Sequence, residues 1–141
     1  NLLEYAKQLN KDADSMLQYV TSKVMEGKML KDLTYMQKQV QSKNITKELI
    51  DKLLNDTGID VIYITDSKGT IKHCNEDCSM GLNLYEIDNS FIQLKERKLK
   101  YIATPIKARA EDGKLFKFLA VIDENDIIYE IGLSIESLLK F

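Results

Sequence analysis

The residue types best suited to metal or redox chemistry gather in one short segment. His73, Cys74, Asp77 and Cys78 all lie within positions 73–78. They supply only three nitrogen or sulfur donors on one stretch of chain, which argues against a zinc site. The two cysteines are compatible with a small-loop disulfide between Cys74 and Cys78 or with two unrelated thiols. We therefore expect no metal and no cofactor.

The sequence carries no recognisable catalytic signature. His73 is the only histidine, and no serine lies in a Gly-x-Ser-x-Gly elbow, so a nucleophile would lack its usual base. The six glycines are too scattered for a phosphate-binding loop or a dinucleotide fingerprint. They stand at positions 27, 58, 69, 81, 113 and 132. We expect that the protein is not an enzyme.

Side chains that join an apolar body to a polar tip are suited to binding a small molecule. Arg97 and Lys117 are the most informative, because either cation can hold a carboxylate and so favours an organic acid or an amino acid as ligand. Alternatively, Arg97 is solvated and Lys117 pairs with Glu130 on the surface, while the tyrosines fill the core. The predicted ligand-binding residues are Tyr63, His73, Arg97, Tyr101, Thr104, Lys117 and Tyr129.

The composition indicates one folded domain with a sizeable core. Of the 141 residues, 44% are hydrophobic and 30% are charged, which is too apolar for a disordered chain. The 20 basic and 22 acidic residues nearly cancel and form no long block of one sign, which argues against nucleic acid as a partner. Apolar runs such as 118–122 are far shorter than the roughly 20 residues that a membrane helix needs.

Helical periodicity dominates the first part of the chain. Apolar residues recur every three or four positions over 2–24, which predicts a long amphipathic helix. Gly27 interrupts the pattern, so we expect a kink or turn there and a second helix over 29–40. Thr46 is a good N-cap and Gly58 a good left-handed stop for a third helix between them.

Strand patterns follow Gly58, with an irregular crossing segment over 76–98. Pairing of the last two strands across 123–126 is predicted to place Ile122 opposite Ile127 and Ala120 opposite Tyr129. Both faces of the resulting sheet are apolar, and the long helices can cover only one. Incomplete cover by 76–98 would leave a ligand cavity on the other face. The predicted strands are 61–65, 70–75, 99–109, 114–123 and 127–134.

This order of elements resembles the single Cache domains, the PAS-like sensor modules of bacterial methyl-accepting chemotaxis receptors and sensor kinases. The segments that carry the resemblance are 58–69 (GIDVIYITDSKG), 110–118 (AEDGKLFKF) and 129–134 (YEIGLS). It covers nearly the whole chain and implies an α+β fold, a PAS-like five-stranded antiparallel sheet with a long N-terminal helix and further helices packed on it. Residues 1–57 would form the helical part, 58–134 the sheet, and 135–141 the start of a helix that leads to the membrane.

The resemblance implies an extracytoplasmic ligand-sensing domain of a receptor in the cell membrane. A membrane span would precede the first helix and another would follow the last, because both ends of the sequence fall within helical patterns. The segments 112–118 and 131–134 favour a methyl-accepting chemotaxis protein as the whole receptor, with a histidine kinase or a cyclic dinucleotide enzyme as alternatives.

The expected partners are a small-molecule ligand and a second copy of the chain. Residues 2–9 are predicted to extend beyond the sheet, so the N-terminal helix would contribute to a homodimer. Ligand binding would close 76–98 onto the sheet and shift the last strand, 127–134. The rival hypothesis is a ligand-free module that dimerises or binds a partner protein, in which the tyrosines would fill the core.

Overall fold

A computed structural model describes residues 1–41, 43–76 and 79–140. Its first helix, α1, runs without a break over Leu2–Val40. The predicted break at Gly27 is wrong because the apolar series continues in phase through it, from Met25 to Met29 and Leu33. Gly27 is exposed, so the glycine costs the helix only about 1 kcal/mol and disturbs no packing.

The two halves of α1 have different surroundings. From Met25 onward one stripe of the helix is buried on the sheet. Residues 1–20, by contrast, are all exposed, including Leu2, Leu9 and Met16. The first half of α1 therefore has no cover from the rest of the described chain. No helix in the described ranges combines the length and the apolar character that crossing a membrane requires.

The second helix, α2, spans Lys47–Thr57 and begins and ends where the sequence predicts. The Thr46 hydroxyl accepts a hydrogen bond from the Leu49 amide at 3.1 Å. Gly58 adopts φ 76° and donates its amide to the Leu54 carbonyl at 2.8 Å. Ile50 and Leu53 are buried, which fixes α2 beside α1 and the sheet.

An antiparallel sheet forms the centre of the domain and confirms the predicted α+β, PAS-like fold. The strands are β1 Val61–Thr65, β2 Ile71–Cys74, β3 Ile102–Ala103, β4 Lys107–Ala108, β5 Leu115–Ile122 and β6 Ile128–Ser134. Their spatial order is β2, β1, β6, β5, β3, and β4 also pairs with β5. The predicted strand 99–109 is two short strands, β3 and β4, because Pro105 has no amide for the ladder.

The pairing of β5 with β6 is shifted by one residue from the predicted register. Ala120 lies opposite Glu130, and not opposite Tyr129. The connection uses five residues, 123–127, and is closed by the Asp123 amide on the Ile127 carbonyl at 2.9 Å. Asp126 takes a left-handed conformation, φ 63°, which admits the extra residue. Since side chains alternate along a strand, the shift exchanges the faces of Tyr129 and Glu130.

The sheet has two covered faces. The α1 face packs on α1 and α2 through residues such as Ile62, Leu119 and Ile131. We call the opposite face the second face. A separate apolar cluster lies on it, formed by Ile71, Leu84, Phe91, Leu94, Ala120 and Ile128.

Short helices supply the cover of the second face, as the sequence predicts. They are α3 Leu84–Ile87, a 3₁₀ turn Asn89–Phe91 and α4 Ile92–Lys95, and we call 84–95 the cover segment. The last helix, α5 Ile135–Lys140, follows β6 directly. Its Ser137 hydroxyl donates to Asp60 Oδ1 at 2.6 Å, which ties α5 to the start of β1.

Candidate ligand-binding site

A cavity of about 480 Å³ lies over the second face, beside the cover segment. Its floor comes from β5 and β6, and its walls come from the cover segment and from the chain between α4 and β4. Aromatic rings and acidic groups share the lining, which is the mixture expected of a small-molecule site. The lining includes Asp88, Phe91, Tyr101, Thr104, Phe118 and Glu130.

Glu130 is the unusual residue of this cavity. It lies on β6, the middle strand of the sheet, in a row across the second face with Tyr63 and Ala120 as its strand partners. Burial raises the pKa of Glu130 from 4.5 to about 8, and the nearby charge of Asp88 adds to the effect. Within the described part of the chain its carboxyl group has no hydrogen bond or ion pair, so its charged form is poorly stabilised.

Asp88 places a second carboxyl group at the same cavity. It caps the 3₁₀ turn, where its Oδ1 accepts the Ser90 amide at 2.9 Å. The cavity therefore has two acids, one on the floor strand and one on the cover segment. Lys107 of β4 is the basic residue of its lining, and it is exposed.

Two of the predicted binding residues, Tyr101 and Thr104, lie in this cavity. The Thr104 hydroxyl accepts the Phe118 amide and the Thr104 amide donates to the Phe118 carbonyl, each at 2.9 Å. These bonds hold the wall of the cavity against β5. Tyr63 lies in an adjoining cleft of about 400 Å³, where its hydroxyl is 3.2 Å from Glu76 Oε2.

Arg97 lies outside the cavity and holds the fold together. Its guanidinium donates to the Leu94 carbonyl at 3.1 Å, to the Asp123 carbonyl at 3.0 Å and to Asp126 Oδ1 at 2.9 Å. These contacts join the end of α4 to the loop between β5 and β6. The side chain is 47% exposed, so the ion pair with Asp126 is a surface contact.

Lys117 lies on the α1 face, and its strand partner is Leu133. Its ammonium donates to the Ser22 hydroxyl at 2.8 Å and to the Thr104 carbonyl, and it lies 3.8 Å from Glu26. Burial lowers the pKa of Lys117, and the Glu26 charge opposes this effect. The alternative pairing with Glu130 does not form, because the two side chains lie on opposite faces of the sheet.

The last two predicted residues also lie on the α1 face. Tyr129 is buried in the core beneath α1. His73 lies in a cleft of about 350 Å³ beside Thr46 and Ile50, and burial lowers its pKa. The structure thus brings Tyr101 and Thr104 together with Glu130, and it distributes the other predicted residues over separate places.

The cysteine predictions stay open. The Cys74 thiol donates to the Glu76 carbonyl at 2.7 Å. Cys78 and Asp77 lie outside the described residues, so the disulfide is not tested. Over the ranges that the structure describes, no group of three or more His, Cys, Asp or Glu side chains is arranged to hold a metal ion.

The sequence analysis did not identify Glu130, Asp88, Phe91 or Phe118 as residues of the binding site. The signal for Glu130 was present, since it is the one charged residue in the apolar run 127–133. With the correct register, that acid falls on the second face and opposite Ala120. Phe91 and Asp88 lie in a segment with no periodic pattern, so only the fold places them.

No protein-family model matches the chain, and no curated protein sequence matches it. Its fold is similar to part of the YkuI protein of Bacillus subtilis, solved with an EAL domain in complex with substrate c-di-GMP and calcium. The TM-score is 0.60 at 13% identity, covering 99% of this chain and 38% of that chain.

Two further solved structures are similar. An extracellular ligand binding receptor from Desulfohalobium retbaense gives a TM-score of 0.53 at 16% identity, over 84% of this chain and 24% of that chain. The sensor domain of Escherichia coli DcuS gives 0.44 at 19% identity, over 74% and 77%. The chain spans well under half the length of the first two, and the similarity to those two is one of fold.

Proposed function

We propose that the chain is the extracytoplasmic ligand-sensing domain of a transmembrane signal-transduction receptor. The observation that carries the proposal is the cavity over the second face, whose floor holds Glu130, an acid on the central strand with no hydrogen bond or ion pair among the described residues. Burying an ionisable group without a partner is costly, and such groups cluster at functional sites. The fold shared with an extracellular ligand binding receptor supports a sensing role. The sequence motifs give no reason to assign catalysis.

The proposed ligand is a small molecule that bridges the cover segment and β6. Asp88 and Phe91 lie on the cover segment, whereas Glu130 lies on β6, which continues directly into α5. A ligand that contacts both draws the cover segment toward the sheet and biases the position of β6. It changes the output only if it binds one conformation more tightly than the other.

The acid-binding argument from Arg97 and Lys117 has no support in their contacts, since both cations have protein partners away from the cavity. An amino acid remains compatible with the cavity, because it offers a cationic group to Glu130. The receptor that we propose is a methyl-accepting chemotaxis protein, on the segments 112–118 and 131–134. The similarity to YkuI, which was solved with an EAL domain, favours a cyclic dinucleotide enzyme as the second candidate.

We further propose that two copies pair through the first half of α1. Exposed apolar residues recur there at alternating steps of four and three, which is the heptad spacing of a two-stranded coiled coil. We call this row of apolar residues the seam. A second copy of the same helix fits this seam, because it presents the same seven-residue repeat. The seam comprises Leu2, Ala6, Leu9, Ala13, Met16 and Val20.

A thermal-shift screen tests the sensing function. The purified chain is heated with amino acids, amines, small carboxylates and purines at millimolar concentration, because a ligand selective for the folded state raises the melting temperature. A saturable shift that is lost on Phe118→Ala but kept on Phe116→Ala supports binding in the cavity, since Phe116 is not among the residues that line it. No shift across the library favours the ligand-free interaction module.

A further inference from the structure

The cavity is acidic at its floor, and no basic side chain of the described residues forms an ion pair with Glu130 there. The titratable groups around Glu130 are its strand partner Tyr63 on β1 and, in the lining of the same cavity, Asp88, Tyr101 and Lys107. Of these, only Lys107 is basic, and among the described residues it makes no ion pair with Glu130.

Two arginines near the second face are already paired with carboxylates, and Lys95 of the cover segment lies over the Tyr85 ring, 5.4 Å from its centroid. Arg109 lies in the adjoining cleft, where its guanidinium contacts Glu76 Oε1 at 3.0 Å and Asp112 Oδ2 at 2.7 Å. Arg97 is paired with Asp126. The positive charge that would complete the environment of Glu130 is therefore absent from this part of the chain.

We propose that the ligand carries a positively charged amine, and that this ammonium group pairs with Glu130, with Asp88 as a second anionic contact. This inference rests on the proposed sensing function and specifies the chemistry of its site. Phe91 and Phe118 line the same cavity, and aromatic rings suit both the apolar body of the ligand and its cation. Lys107 at the rim tolerates a carboxylate elsewhere on the ligand.

The competing chemistry is a ligand with a carboxylate and no amine. Such a ligand can accept a hydrogen bond only from the protonated form of Glu130. When Glu130 is ionised, the ligand would add a third negative charge to the cavity. The two chemistries differ in the sign of their pH dependence. A cation binds the ionised form, so its affinity rises with pH until Glu130 is fully ionised, whereas a carboxylate binds more weakly over the same range.

Matched probes separate the two. Leucine, 3-methylbutylamine and 4-methylpentanoate share one skeleton, and phenylalanine, phenethylamine and 3-phenylpropionate share another. Each is titrated calorimetrically into the 141-residue chain at pH 7.5. We expect at least one amine-bearing probe of a trio to bind and its deaminated analogue to bind at least about 30-fold more weakly.

Preferential binding of the deaminated acids would overturn the inference and leave the sensing function standing. Binding of none of the six would also overturn it, and the wider thermal-shift screen then decides separately on the function.

Two further measurements tie the binding to Glu130. Glu130→Gln keeps the shape of the side chain and should weaken the best amine by about 30-fold or more, whereas Glu124→Gln, in the exposed loop 123–127, should not change it. In the unaltered protein, the affinity for the amine should rise close to tenfold per pH unit between pH 6 and 8. A flat or falling profile, or unchanged affinity in Glu130→Gln, would contradict the pairing.

Discussion

At the scale of the residue, Glu130 and Lys117 show that the face of the sheet decides what a charge does. They lie on neighbouring strands but on opposite faces. Lys117 is surrounded by the Ser22 hydroxyl, the Thr104 carbonyl and the Glu26 carboxylate, so it stabilises the contact between α1 and the sheet. Glu130 has no such partners in the described chain, which is why we propose it as the group that pairs with a ligand.

The pH dependence of stability measures the cost of the Glu130 charge. The pKa of Glu130 is about 8 in the folded protein and near 4.5 in the unfolded chain, so folding favours the protonated carboxyl group. The stability that this group contributes is complete below pH 4.5 and is lost as the pH rises through 8. Glu130→Gln does not titrate. Between pH 5.5 and 8.5, the free energy of unfolding of Glu130→Gln should therefore gain about 3 kcal/mol relative to the unaltered protein.

Urea denaturation at pH 5.5, 7.0 and 8.5 checks this prediction. Glu124→Gln is the matched control, because Glu124 is exposed in the loop between β5 and β6. Its difference from the unaltered protein should stay constant with pH. Parallel pH curves for Glu130→Gln and the unaltered protein would show that the Glu130 carboxyl ionises normally.

Sequence analysis could not assign roles to these charges. Lys117 and Arg97 were reasonable candidates for an acid site, because Lys117 lies within a predicted strand and Arg97 lies just before one. Whether a cation points into a cavity depends on the register of its strand and on which element covers that face. Neither quantity follows from residue types, since both faces of this sheet are apolar.

At the scale of the element, helices and strands were predicted well where the sequence contains residues that fix their ends, and poorly where it does not. The limits of α2 were predicted correctly because Thr46 and Gly58 each satisfy a backbone group that only a helix end leaves free. The register of β5 and β6 was wrong by one residue because the Asp123 to Asp126 loop allows more than one length. That single error moved Glu130 out of the predicted cavity and Tyr129 into it.

Replacing Gly27 or Gly132 by alanine should change the stability of the protein in opposite directions. Gly27 lies within α1 with nothing within 4 Å of the position that a Cβ would occupy. Gly27→Ala should therefore raise the free energy of unfolding by about 0.5 to 1 kcal/mol, through helix propensity. In Gly132→Ala the added Cβ would lie 2.6 Å from Cε1 of Phe118, so the protein should lose stability.

Thermal denaturation of both variants checks the pair. A loss of stability in Gly27→Ala would mean that α1 bends at this position, as the sequence pattern first indicated. An unchanged Gly132→Ala would mean that the Phe118 ring moves aside easily. Since Phe118 also lines the cavity, that result would also weaken the picture of a rigid cavity floor.

At the scale of the whole molecule, the exposed half of α1 predicts association in solution. Leu9 lies in the proposed seam and is 50% exposed in the single chain. Leu9→Lys places like charges opposite each other in a parallel pair, so it should shift the protein toward the monomer by tenfold or more in dissociation constant, about 1.4 kcal/mol. Gln18→Lys, outside the seam, is the control.

Sedimentation equilibrium of the three proteins measures the effect. A monomer at all concentrations for the unaltered chain would contradict the dimer. Equal dissociation constants for Leu9→Lys and Gln18→Lys would place the contact elsewhere on the surface. Neither result bears on the ligand cavity, because the seam and the cavity lie on different elements.

The unbroken course of α1 also has a mechanical consequence. Contacts with the sheet side begin near Ser22, so roughly 20 residues project beyond them as a rod of about 30 Å, at 1.5 Å per residue. A tilt of only about 5° at the attached end would displace the free tip sideways by about 3 Å, which exceeds the 1 to 2 Å shifts common at subunit interfaces. The Lys117 ammonium donates to both the Ser22 hydroxyl and the Thr104 carbonyl of the cavity wall, so it lies where the projecting part of α1 meets the rest of the domain.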